Sequence, residues 1–149
     1  MKAVDKSKWA TVFFALGTVG CANAAPQVTV NFFNNTGDNA AYVRGSTKNE
    51  TTTYLNASPS PSEVAAGAFS TFVVRGTTSS PIVYATVRYQ AGVKSCQFTT
   101  SYLMNTSRGG VRAPKWNRSA VAGGGAKCEA VVTFVNFSSH DWVVNFSMR

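Results

Sequence analysis

The chain has 149 residues and a formal charge of +8 at neutral pH, with fourteen Lys and Arg against six Asp and Glu. Phe, Tyr, Trp, Val and Thr are plentiful while Leu, Glu and Lys are scarce, which favours strands over helices. Beyond the first 24 residues no stretch is long and apolar enough for a membrane helix, so a multi-span protein is excluded.

The chain opens MKAVDKSKWATVFFALGTVGCANAA. Lys2, Lys6 and Lys8 form a basic start, residues 9 to 21 are apolar or small, and Ala22-Asn23-Ala24 matches a small-x-small cleavage site. That three-part layout predicts a signal peptide over 1–24, cleaved to leave one domain at 25–149. The alternative is a lipoprotein cut before Cys21, but Thr18 stands where Leu is usual. The processed chain is periplasmic or secreted on either reading.

Short runs of period two follow, separated by Gly, Pro, Asn and Ser clusters. In QVTVNFF, Val28, Val30 and Phe32 share a face. AYVRG comes after an Asn-Thr-Gly-Asp turn signal, and TTTYLN reads as a weak edge strand. AFSTFVVRG and PIVYATVRYQ are stronger; in the second, Val83, Ala85, Val87 and Tyr89 face one way and Arg88 the other. VKSCQFTTSYLM places Cys96, Phe98, Thr100 and Tyr102 on one face. AKCEAVVTFVNF does the same for Cys128, Ala130, Val132 and Phe134. In DWVVNFSM, Trp142, Val144, Phe146 and Met148 line one face, and Ser138-Ser139 predicts a hairpin between the last two strands. The expected fold is all-β, an antiparallel β-sandwich of about seven or eight strands. With Cys21 removed, Cys96 and Cys128 remain, and an exported domain with two cysteines on inward faces predicts one disulfide.

Catalytic and cofactor chemistry finds little support. His140 is the single histidine and sits beside Asp141 in a turn; no serine lies in a Gly-x-Ser-x-Gly elbow. Asp38, Glu50, Glu63, Glu129 and Asp141 are scattered, with no spacing that argues for paired-carboxylate work. No phosphate loop, calcium loop or zinc ligand set is present, so the reading is a non-enzyme without metal or cofactor.

The segment SRGGVRAPKWNRSAVAGGGAKC, residues 107 to 128, stands apart. It carries five basic residues, no acid, and six glycines or prolines. It reads as a long loop closed by the disulfide, with the triple glycine at 123 to 125 as a hinge. Arg108, Arg112, Lys115, Arg118 and Lys127, with Trp116 among them, are the candidate ligand-binding residues. Cations meet phosphate, sulfate or carboxylate, and an indole stacks on a sugar or sits at a lipid headgroup. The expected function is a small exported binding protein using this loop on an anionic surface: lipopolysaccharide, anionic lipid, acidic polysaccharide or an acidic protein. Nucleic acid is a poor partner for an exported protein. The alternatives are a pilus-like assembly subunit that donates the strand at Val28, Val30 and Phe32, or a membrane-active sandwich toxin.

Overall fold

A computed structural model describes residues 24–45, 47–76 and 82–149. The signal-peptide and Cys21 readings thus concern residues that, Ala24 apart, lie outside those described. Nine strands and one helix follow in order: β1 (Gln27–Asn34), β2 (Ala41–Tyr42), α1 (Lys48–Asn56), β3 (Ala57–Ser58), β4 (Phe69–Arg75), β5 (Ile82–Ala91), β6 (Lys94–Thr106), β7 (Arg112–Gly123), β8 (Cys128–Val135) and β9 (Trp142–Met148).

These strands form a sandwich of two sheets. The larger has the order β3-β4-β1-β9-β8 and the smaller β2-β5-β6-β7. Neighbours pair antiparallel except β1 and β9, which run parallel with Val28 beside Trp142 and Phe32 beside Phe146. β1 is therefore an interior strand, with β4 on its other side. Alternate residues of each inner face fill the core, because successive side chains of a strand point to opposite sides. Val28, Val30 and Phe32 meet Trp142, Val144, Phe146 and Met148 from the larger sheet; Val83, Ala85, Val87, Tyr89, Cys96 and Phe98 come from the smaller. Phe32 stacks on Tyr89 at 3.6 Å between ring centroids and Phe98 on Phe146 at 4.7 Å, so aromatic pairs join the two layers. The indole N–H of Trp142 donates to Thr100 Oγ1 at 2.9 Å, which satisfies its one polar atom inside the core.

Cys96 on β6 and Cys128 at the start of β8 form a disulfide between the two sheets, with Cα atoms 5.7 Å apart. Such a bond points to an oxidising compartment outside the cytoplasm. Among the described residues no helix is long and apolar enough to cross a membrane.

Four local expectations are corrected. TTTYLN is the body of α1 rather than an edge strand. Thr47 caps the helix: its hydroxyl accepts from Glu50 N while the Glu50 carboxylate accepts from Thr47 N and Oγ1, a reciprocal capping box. The residues α1 buries are Glu50 and Thr53, both polar, so no apolar stripe of helical period marks it. The basic segment is a strand over most of its length, since Arg112–Gly123 pairs in unbroken register with β6 from Thr106 opposite Arg112 to Ser95 opposite Gly123. The glycines after it make a tight turn instead of a hinge: Gly124 and Gly125 have φ of 62° and 77°, and a Cβ on Gly124 would overlap the Val93 carbonyl. Finally, a register shift between Val132 and Phe134 turns Phe134 away from the core, leaving it 56% exposed.

Candidate anion-binding site

Among the described residues β6 and β7 outrun the rest of their sheet. Among the described residues the pairing of β5 with β6 reaches Ile82 opposite Leu103, and β6 and β7 continue together through Met104 opposite Pro114 to Thr106 opposite Arg112. Every residue from 105 to 113 is exposed. The tip closes by Gly110 N donating to Ser107 O and Ser107 N to Val111 O, both at 2.9 Å. Gly110 adopts a φ of 76°, a conformation that favours glycine. The result is a two-stranded arm at one end of the sandwich.

An isolated hairpin is marginal in water, and aromatic packing secures the base of this one. Tyr102 of β6 lies opposite Trp116 of β7, with ring centroids 5.7 Å apart. The β8–β9 turn folds against them: His140 stacks on Tyr102 at 5.0 Å, and Phe137 meets Trp116 edge-on at 5.4 Å. Trp116 Nε1 donates to the His140 carbonyl at 3.3 Å. Asn136 builds that turn, its side-chain oxygen accepting from Ser138 N and Ser139 N. His140 N donates to Asn136 O at 2.7 Å, and His140 takes a left-handed φ of 65°. Asp141 is engaged locally, accepting from Gln27 N through Oδ1 and from Ser139 Oγ through Oδ2, both at 2.8 Å. Neither contact sets it behind the histidine ring as a catalytic partner.

The six candidate residues divide. Arg108 is on the tip. Arg112, Trp116 and Arg118 share one face, opposite Thr106, Tyr102 and Thr100, with Arg112 and Arg118 about 20 Å apart along the strand. Lys115 points to the other face, opposite Leu103. Lys127 lies beyond the far end of β7, where its backbone pairs with Arg149 in both directions. The arm and its base therefore assemble Arg108, Arg112, Lys115 and Trp116, with Arg118 two positions inward, and leave Lys127 apart. Sequence reasoning missed Tyr102, Phe137 and His140, because their approach to Trp116 depends on how the two sheets stack.

Among the described residues the one ion pair is Arg88 with Glu50, at 3.2 Å, so no carboxylate neutralises the arm. Burial pushes the Tyr102 phenol above its ordinary range, and the nearby Arg112 charge pulls it back. Among the described residues no cluster of three or more His, Cys, Asp or Glu offers a metal site. The arrangement offers cations and half-exposed aromatic surface to a ligand. The sequence matches no protein-family model and no curated protein.

Proposed function

We propose that this chain is a small exported, non-enzymatic binding protein that engages an anionic surface or ligand through the β6–β7 arm. Export is supported by the basic, apolar and small-residue sections at the N-terminus and by the disulfide. The observation that carries the binding role is the arm itself: nine consecutive exposed residues bearing Arg108 and Arg112, with Lys115 just behind, and no carboxylate paired with them among the described residues. A rigid scaffold that holds out an uncompensated cationic ribbon attracts acidic partners and speeds their encounter. The partners in view are lipopolysaccharide, anionic lipid, acidic polysaccharide and acidic protein.

The test is binding of the purified protein to anionic vesicles, lipopolysaccharide and an acidic polysaccharide over a salt series. The Debye length falls from about 30 Å at 0.01 M to about 3 Å at 1 M, so arm-driven binding weakens steeply over that range. Reversal of Arg108, Arg112 and Lys115 to Glu should weaken it by about 10- to 100-fold. Equal binding by the reversed protein, or no binding by either, would overturn the reading.

A further inference from the structure

A second site lies far from the arm, where α1 covers β5. Val43 N donates to Arg88 O at 2.9 Å, which extends the β2 pairing and sets the path of the chain into Arg44. The Arg44 guanidinium rests on the Tyr54 ring, 4.1 Å from its centroid, and Tyr42 stacks on Tyr54 at 5.8 Å. Arg44 is thus held by a cation–π contact, yet it has no carboxylate partner among the described residues. Two clefts adjoin this stack and share Arg44 and Tyr54 as walls. The larger, about 330 Å³, is completed by Ala41, Tyr42, Pro61, Ser62 and Glu63. The cleft is shallow and open to solvent, with Arg44, Ser62 and Glu63 exposed along it, so a ligand there keeps part of its surface in water.

We infer that this cleft binds a one-ring hydroxylated monocarboxylate, a sugar acid of the uronate kind. The charge layout selects it. Arg44 offers one positive charge on a pre-stacked planar fork that matches a carboxylate with two parallel hydrogen bonds. Glu63, held by Asn39 Nδ2 at 3.1 Å, puts a negative charge among the lining residues. It accepts hydroxyl groups and repels a second anionic centre, and Ser62 adds a hydroxyl beside it. A neutral sugar leaves Arg44 without a counter-charge, and a phosphate dianion brings excess negative charge towards Glu63. Tyr42, Tyr54 and Pro61, which line the cleft, give the ring apolar contact.

The experiment is a two-dimensional NMR titration of the purified protein with sodium glucuronate, and separately with glucose and with inorganic phosphate. Glucuronate should give saturable shifts confined to residues 41–45, 54–55 and 61–63. Glucose and phosphate should bind at least about ten-fold more weakly. Arg44→Gln, at an exposed position, should keep the remaining spectrum and lose at least about ten-fold in glucuronate affinity. Arg44→Lys, which keeps the charge without the fork, should fall between. Absence of saturable shifts, undiminished binding by Arg44→Gln, or tighter binding of phosphate or glucose would overturn the inference. Charge reversal on the arm should leave this titration unchanged, so the two sites succeed or fail separately.

Discussion

Glu50 is a carboxylate in the interior of a basic protein, and its partners explain how it stays there. One oxygen accepts from Thr47 at the head of α1 and the other faces Arg88 of β5. A single side chain thereby completes the capping box of the helix and fastens it to the sheet. Glu50→Ala removes the side-chain half of the capping box and leaves the half-buried Arg88 without its counter-charge. We expect a loss of about 2 to 4 kcal/mol in unfolding free energy, measured by urea denaturation. Tyr102 is informative in another way. Its phenol is raised by burial, so the folded state holds that proton more tightly than the unfolded state does. The associated stability is present below the ordinary tyrosine value near 10 and is lost as pH rises through the folded value. Arg112→Gln removes the influence that lowers the phenol, so Tyr102 should titrate at higher pH in that variant. Ultraviolet difference titration would register this; an unchanged or lowered value would mean that Arg112 does not lie over the Tyr102 end of the arm.

At the level of elements, the strands with strict alternation were legible in sequence. Val28, Val30 and Phe32, or Trp142 through Met148, leave little freedom, because a one-residue slip would turn the whole apolar set to water. The elements that escaped have polar or mixed patterns. α1 buries a glutamate and a threonine, and Thr53 earns its place by accepting from Thr86 N at 2.9 Å rather than by apolar contact. β7 reads as a loop because among the described residues it is an edge strand, where Pro114 and the glycines near its ends are tolerated, while β6 supplies the register that its own composition does not reveal. The candidate cations were visible one by one; their division between arm and far turn was not, since it depends on how β7 pairs with β6. The arm should be separable from the fold. Replacement of residues 105–113 by an Asn-Gly hairpin turn joins Met104 to its partner Pro114, keeps the Tyr102–Trp116 base and should shift the thermal midpoint by only a few degrees, while anionic binding falls by about 10-fold or more. Collapse of the fold on this change would show that the arm is structural.

For the whole molecule, the cations of β7 have two separable consequences. A twelve-residue edge is a template for another chain, and charges with a proline are a common means of blunting it. Changing Arg112, Lys115 and Arg118 to Gln should therefore raise aggregation, followed by light scattering during storage, as well as weaken binding. Changing them to Glu should weaken binding while the protein stays dispersed. If neither change increases scattering, edge protection is not among their duties. The disulfide works on the same scale. It closes a span of 32 residues between the sheets, and removal of both cysteines should cost about 3 to 4 kcal/mol on the loop-entropy estimate.

The parallel neighbours β1 and β9 also impose an order in time. Asn31 and Asn145, joined side chain to side chain across these strands, stand 114 positions apart. The centre of the larger sheet thus has a vacant seat until the final strand arrives, however early β1 finds β4. A chain that passes through a translocation channel from its amino end cannot finish its core while its tail is still on the other side. If the chain is exported as proposed, assembly of that sheet is deferred to the destination, and contacts that span 114 residues, as between Asn31 and Asn145, form slowly. The same arrangement keeps the chain open, and so threadable, for as long as its last strand is held back.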